Sequence, residues 1–392
     1  MQFRGPGMTE RYFAPCPRGL ESALAAELGT QGANDIAPVD GGVGFAGELA
    51  LAYRANLESR IASRILWRVG EATCRDEHDL YAAVHRIDWT RHFRQDRTLR
   101  VDVAATRSPL ASLEFATLRV KDAVCDRFRA ERGVRPSIDK RAPDVRVHVH
   151  LAEREATIYL DTSGEPLFKR GWRRETEEAP LRENLAAGLL ALAQWAPGRV
   201  LLDPMCGSGT IAVEAAMIAA DRAPGLSRSF GFQKLLWYDG PAWQRLKQAA
   251  RDRVRPPPSA VSIFASDLSP QAVAKAQANL AAAQVAAFVG VEQADVLIRK
   301  APAAEGLLLS NPSYGVRLDD ARRLAEFYPR LGDALKKGYG GWTAYLFTGD
   351  LRLAKLIGLK PERRTPLWNG ALECRLYSFR IVAGSMRERG TS

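Results

Sequence analysis

Residues 200–210 read VLLDPMCGSGT. An apolar run ends in an acid, Asp203, and two glycines, Gly207 and Gly209, then open the helix-forming stretch IAVEAAMIAA. A short apolar run closed by a turn reads as a buried strand. Glycine permits a tight turn and close backbone approach to a ligand, and the first amides of a helix receive polar groups. The pattern is that of a nucleotide-like cofactor loop in an open α/β sheet. It lacks the third glycine of the dinucleotide fingerprint, and no Gly-Lys-Ser/Thr follows, which excludes a Walker phosphate loop.

Outward from this loop, strand and helix patterns alternate from residue 181 onward. VSIFASD reads as a strand, SPQAVAKAQANLAAA as a helix with Ser269 as its N-cap and Pro270 at N1, and GLLLSNPSYG and GWTAYLFTG as strands. Alternation of this kind gives a mostly parallel sheet with helices on both faces. Residues 221–260 interrupt it with an aromatic and proline-rich insertion. Two further acids, Asp267 and Asp295, follow the next two strand patterns. N-capping or simple exposure explains any one of these acids. Three in succession beside the glycines point to a bound cofactor, with Asp203 facing a cationic amine and Asp267 placed for two ribose hydroxyls.

Residues 9–162 differ: helix candidates such as LESALAAELGTQG and LEFATLRVKDAVCDRFRAERG mix with the hairpin pattern VRVHVHLAEREATIYLDTSG. The expected division is a unit over 9–162, a polar linker over 163–180 and a second unit over 181–385. The formal net charge is +11 and is uneven. Residues 1–162 carry 24 Lys and Arg against 23 Asp and Glu, and residues 163–392 carry 32 against 22. Such a balance points to a polyanion, most often nucleic acid. The five cysteines are scattered without a C-x-x-C pair, which fits a reduced, cytoplasmic compartment and argues against a zinc site or disulfide framework. His85, His92, His148 and His150 lack supporting ligands, so no metal is expected. Cys206 reads as packing in the loop and not as a nucleophile. No apolar run is long enough for a membrane helix, and the amino terminus lacks a signal-peptide core.

The stretch LLSNPSYGVRL at 308–318 ends a buried strand in an amide, a proline, a hydroxyl and a phenol. Together with DPMCGSGT it resembles the class I S-adenosylmethionine-dependent methyltransferases that act on amino groups, whose motif is [Asn/Asp]-Pro-Pro-[Tyr/Phe]. FKRGWR, APLRENLAA, LLDPMCGSGT, NPSYGVRL and NGALECRLY, in this order, resemble the THUMP-containing RNA guanine-N2 methyltransferases of bacteria across essentially the whole chain. The glycine loop alone is weakly specific; the ordered set is strongly so.

The resemblance implies a Rossmann-like class I methyltransferase domain preceded by an α+β ferredoxin-like and THUMP unit that binds RNA. One glycine loop and one NPxY turn imply a single methyltransferase domain. It places S-adenosylmethionine on Asp203, Pro204, Cys206, Gly207, Gly209 and Thr210, with Asp267 on the ribose, Leu268 next to it, Asp295 near the adenine amine and Asn184 near the methionine end. It places an extruded guanine on Asn311, Pro312 and Tyr314, with Asn311 also touching the cofactor. Arg119, Lys121, Arg127, Lys169, Arg170 and Arg173 are the expected RNA contacts. The chemistry suits these residue types. The lone pair of an exocyclic purine amine is delocalised into the ring, so a site must hold the amine by acceptors. The Asn311 amide oxygen and Pro312 carbonyl supply two, and proline stiffens the loop that aims them. Tyr314 offers a ring to a base drawn from its helix. Ser313 stands where the family has a second proline and restores an N–H. The favoured substrate is large-subunit ribosomal RNA; a tRNA guanine-N2 methyltransferase and a catalytically weakened RNA-binding protein remain the alternatives.

Overall fold

The computed structural model describes residues 9–173, 181–312 and 318–382. In chain order its elements are β1 Glu10–Pro15, α1 Glu21–Thr30, β2 Asn34–Val39, β3 Gly42–Gly47, α2 Leu49–Glu58, β4 Leu66–Thr73, α3 Glu77–Arg86, β5 Leu99–Thr106, α4 Leu113–Arg132, β6 Val145–Ala152 and β7 Glu155–Asp161. Then follow α5 Glu183–Leu192, β8 Leu201–Asp203, α6 Thr210–Ala219, α7 Gly240–Asp252, β9 Ile263–Asp267, α8 Pro270–Ala282, β10 Val289–Gln293, β11 Leu307–Ser310, α9 Leu318–Gly338, β12 Thr343–Thr348, α10 Leu353–Leu356, β13 Arg363–Asn369 and β14 Leu372–Arg380. The chain forms two compact units. One takes residues up to Cys16, Ala25–Leu167 and Ser227–Ala249; the other takes Pro17–Leu24, Phe168–Leu226 and the chain from Ala250 onward. The aromatic insertion therefore groups with the amino-terminal unit, although it interrupts the sequence of the other.

The first unit holds a seven-stranded sheet in the order β2-β3-β1-β4-β7-β6-β5, antiparallel except for the β5–β6 pair. Helix α4 shows why its sequence folds as it does. The Ser112 hydroxyl caps it by accepting from the Phe115 amide at 3.2 Å, and Gly133 ends it at φ +72°. Ala116, Val120, Ala123, Val124 and Phe128 make its buried face, and Phe128 meets Phe93 with ring centroids 4.9 Å apart. The insertion joins this core through aromatic contacts: Trp237 stacks on Tyr53 at 5.2 Å, and Phe232 lies 4.7 Å from the same ring.

The second unit has the order β10-β9-β8-β11-β12-β14-β13. Strands β8 to β12 pair in parallel, and β14 is antiparallel to both β12 and β13. The strand order reverses between β8 and β11, both buried through their length. The carboxyl ends of strands at such a reversal form the crevice where open α/β sheets bind ligands. Residues Tyr328, Trp342, Tyr339 and Phe379 anchor the core beside β12 and β14. The expected Ser269 cap and Pro270 at N1 of α8 are present, with the Ser269 hydroxyl accepting from the Ala272 amide at 3.3 Å. Among the described residues no helix is long and apolar enough to cross a membrane.

Three strands, β1, β2 and β13, escaped the sequence reading. β13 carries Arg363, Arg364 and Pro366 at a sheet edge, where charge and proline deter further strand pairing and disguise the strand pattern. β2 is short and mostly exposed, with no alternating buried face to betray it. The joint also differs from a solvated connector: Leu167, Arg170 and Trp172 are buried.

Candidate functional site

The glycine loop is built by its backbone. After β8 the Cys206 amide donates to the Ser266 carbonyl at 2.9 Å, and the Gly209 amide donates back to Cys206 at 2.8 Å. Gly207 sits at φ +52° and Gly209 at φ +78°, both in the left-handed region that favours glycine. At Gly209 there is a second constraint: a Cβ there would stand 2.9 Å from the Ala276 Cβ on α8. Glycine lets the start of α6 approach α8, and the Asn279 amide of α8 donates to the Ser208 carbonyl at 3.0 Å.

The three acids occupy three different environments. Asp203 is buried at the end of β8, and its Oδ1 accepts from the Ser310 hydroxyl at 2.7 Å and from the Met205 amide at 3.4 Å. Both donors reach the same oxygen; Oδ2 accepts nothing from the described residues. Burial pushes the Asp203 carboxyl up to about 7, although the Ser310 and Met205 donors oppose it. Asp267 is half-buried. Its Oδ2 accepts from the Gly207 amide at 2.9 Å and its Oδ1 from the Ser269 amide at 3.0 Å, which ties the glycine loop to the end of β9. Each oxygen keeps a second lone pair for a ligand. Asp295 lies two residues past β10 instead of closing it, and its Oδ1 accepts from the Leu297 amide at 2.9 Å. Leu268 is 67% exposed beside Asp267, leaving apolar surface next to that acid. Pro204 is buried in the turn after Asp203, and Cys206 is buried. The Asn184 side chain is buried in the first turn of α5.

Asn311 follows Ser310 directly at the end of β11. Its Oδ1 is buried and has no hydrogen-bond partner among the described residues. A buried acceptor without a donor is costly. Pro312 is buried behind it. Tyr314 and Ser313 lie outside the described residues.

Two of the expected RNA contacts are internal. Arg170 is buried, with Nε 3.3 Å from Glu214 Oε1 and side-chain exposures of 1% and 0%. That burial leaves no guanidinium surface for phosphate, so Arg170 is removed from the RNA contacts. Arg173 donates from Nε to Glu183 at 2.8 Å, from Nη2 to the Leu181 carbonyl at 3.1 Å and Thr210 Oγ1 at 3.0 Å, and from Nη1 to Ser208 Oγ at 3.4 Å. It is a strut behind the cofactor loop, which corrects its expected role as a phosphate contact. Burial raises the Glu183 carboxyl, and Arg173 opposes that shift. Lys169 is exposed. On α4, Arg119 lies over the Tyr81 ring at 4.5 Å, Lys121 pairs with Asp122 at 3.0 Å and Arg127 pairs with Glu131. These three remain at the half-buried helix surface.

Sequence reading missed Ser310 and Glu183. Both sat inside quoted motifs, but their role depends on contacts to Asp203 and Arg173 that only the folded chain brings together. A cavity of about 660 Å3 in the same unit is lined in part by Phe168, Lys169, Arg173, Arg182, Asn369 and Gly370, within the size range of small-ligand sites. Arg173 joins its wall to the glycine loop. Among the described residues no group of three or more His, Cys, Asp or Glu is arranged to hold a metal.

Comparison with known proteins agrees with this architecture. Residues 11–66 match the RlmL ferredoxin-like domain, residues 74–161 the THUMP domain and residues 170–378 the RMKL-like methyltransferase domain. The chain is 40% identical over 396 residues to a ribosomal RNA large subunit methyltransferase K/L of Aeromonas salmonicida, covering 96% of this chain and 55% of that protein. It is 42% identical over 382 residues to the protein of the same name from Syntrophotalea carbinolica, covering 95% and 54%. The chain thus spans about half the length of the curated relatives it matches. Among solved structures, a possible methylase from Clostridium difficile 630 superposes with a TM-score of 0.88 at 29% identity, covering 97% of this chain and all of that one. SMU.472, a methyltransferase crystallised with S-adenosylhomocysteine, superposes with a TM-score of 0.85 at 29% identity over 97% and 99% of the two chains. With its methyltransferase match spanning more than half of its length, the chain belongs to the RMKL-like methyltransferase family, carrying ferredoxin-like and THUMP domains ahead of that domain.

Proposed function

We propose that this protein transfers a methyl group from S-adenosylmethionine to the exocyclic N2 amine of a guanine in large-subunit ribosomal RNA. The observation that carries the reading is the buried Asn311 Oδ1 at the strand reversal, which has no hydrogen-bond partner among the described residues. The names of the relatives support ribosomal RNA as the substrate class, and the matched THUMP domain supports an RNA-binding role for the amino-terminal unit.

The residues fit the cofactor. Asp203 keeps Oδ2 for a cationic amine, Gly207 and Gly209 bring the backbone close, Asp267 retains lone pairs for ribose hydroxyls, and exposed Leu268 offers an apolar face. Asp295 stands past the third strand for the adenine amine, and Asn184 lies in the first turn of α5 for the methionine end. When bound, S-adenosylmethionine supplies an electrophilic methyl on a positively charged sulfur. The protein's own contribution is to hold the nucleophile. Asn311 Oδ1 and the Pro312 carbonyl accept from the two N2 hydrogens, which turns the amine lone pair out of conjugation and toward the methyl. Tyr314 supplies the ring against the base. Positioning and preorganised acceptors supply most of the rate enhancement, without a strong base. Lys169 and the α4 residues Arg119, Lys121 and Arg127 contact RNA phosphate.

The test is Asn311→Ala. It should lose methyl transfer by at least ~100-fold, the order seen when a preorganised polar group is removed from an active site, with cofactor affinity changed far less. A fully active variant would remove Asn311 from the mechanism.

A further inference from the structure

The cavity beside the glycine loop has an orientation that topology fixes. β14 is antiparallel to β12 and to β13, so β13 runs in the same direction as β8 to β12. The turn at Asn369 and Gly370, which ends β13, therefore lies at the same edge of the sheet as Asp203, Asp267 and Asn311. It lies on the β11-to-β13 half, away from the acids that follow β9 and β10. The opposite wall is joined to the glycine loop by Arg173. Arg173 thus links the cavity lining to the glycine loop, and Asn369 and Gly370 put part of that lining at the half of the edge that the three acids leave open.

Its charged lining is not uniform. Arg170 is engaged by Glu214 and Arg173 by Glu183. Arg182 has no carboxylate partner among the described residues. It sits just before α5, is exposed, and holds its guanidinium over the Phe168 ring at 5.0 Å. The ring attracts the cation and restrains the guanidinium, whose planar fork keeps N–H donors for a ligand. A planar fork with donors only is matched by a pair of adjacent acceptors. Guanine presents such a pair at O6 and N7; adenine presents an N6 donor where guanine has O6. The N7 edge and the N2 amine lie at opposite ends of the purine, so an arginine reading O6 and N7 leaves N2 for Asn311.

We propose that this cavity receives the extruded purine and that Arg182, restrained by Phe168, is the residue that selects guanine by donating to O6 and N7. The inference rests on the N2-methyltransferase reading above and extends it to substrate discrimination.

The experiment uses the full chain and a synthetic RNA hairpin spanning the large-subunit nucleotide to which mapping of the transferred methyl group assigns the product. One version carries guanosine there; the other carries 2,6-diaminopurine riboside, which keeps the N2 amine but replaces O6 by an amino donor. The wild type should prefer guanosine in kcat/KM by roughly 10- to 100-fold, the span of one bidentate contact. In Arg182→Ala that preference should collapse toward unity through loss on guanosine, with cofactor Kd unchanged. Phe168→Leu keeps the guanidinium but removes its platform, and should give an intermediate preference; it also decides the matter if Arg182→Ala fails to fold. Equal wild-type use of both RNAs overturns the proposal. So does an Arg182→Ala enzyme that is weaker on both RNAs by the same factor with a shallower salt dependence, which is the signature of a phosphate contact. Wild-type inactivity on both hairpins alongside intact cofactor binding means the N2 reading itself has failed, and the Arg182 proposal falls with it.

Discussion

The Ser310 hydroxyl donates to Asp203 Oδ1 at 2.7 Å, joining the ends of β11 and β8 where the strand order reverses. Ser310 immediately precedes Asn311, so one short contact links the acid proposed for the cofactor with the acceptor proposed for the base. It also leaves a buried carboxyl whose ionisation is poised near neutrality.

That poise has a testable sign. With Asp203 raised to about 7 in the folded protein and near the ordinary ~3.9 when unfolded, the native state binds the extra proton between these values. Its contribution to stability is present below the unfolded value and is lost as pH rises through 7. A cationic ligand favours the ionised form. S-adenosylmethionine affinity should therefore rise from pH 6 to pH 8 and level off above. Asp203→Asn keeps an acceptor for Ser310 and Met205. It should raise Tm at pH 8 and weaken cofactor binding at least ~10-fold by loss of a buried charge partner. Titration calorimetry and thermal melts across this range check both halves.

Ser310→Ala should move the same transition. Removing a donor to the carboxylate raises the carboxyl further, so the pH midpoint of cofactor binding should shift upward. The variant should lose about 1–3 kcal/mol of stability at pH 8, where the buried acid is charged. An unchanged midpoint would separate Asp203 from the cofactor.

At Gly209 two costs are separable. Gly209→Ala meets both the positive φ and the Ala276 Cβ at 2.9 Å. The backbone part is about 1–2 kcal/mol, and steric overlap adds to it. Combining it with Ala276→Gly removes the Cβ overlap and leaves the Ala276 Cα at 3.2 Å. The double variant should thus recover part of the lost Tm beyond what the single changes would give by addition.

Arg173→Ala leaves Glu183 buried without its cation. A loss of about 3–5 kcal/mol is expected for breaking such a pair. Arg173→Ala with Glu183→Gln should restore part of it. If Arg173 served RNA alone, melting would be unchanged and only RNA affinity would fall.

The fold was legible in the sequence where burial imposes a pattern. The runs ending at Asp203, Asp267 and Ser310 are short, apolar and followed by turn residues, and each proved to be a strand of the parallel sheet. The ordered motifs from 168 to 377 carried the family. What stayed hidden depended on distant neighbours. Arg170 and Arg173 look like surface cations in FKRGWR; only Glu214 and Glu183, 44 and 10 residues on, reveal them as internal. The insertion at 227–249 reads as part of the unit it interrupts, because its partners Tyr53 and Trp67 lie far upstream. The edge strand β13 hides behind arginines and a proline. Residue types announce chemistry, whereas their availability is decided by packing.

The most direct test of the central claim is nucleoside mass spectrometry after methyl transfer. Ribosomal RNA and tRNA from cells lacking this gene are incubated separately with the protein and isotopically labelled S-adenosylmethionine, then digested to nucleosides. Labelled N2-methylguanosine is expected from the large-subunit RNA, and its loss with Asn311→Ala. Label in tRNA alone, label in a different nucleoside such as N6-methyladenosine, or no label alongside intact cofactor binding would contradict that claim.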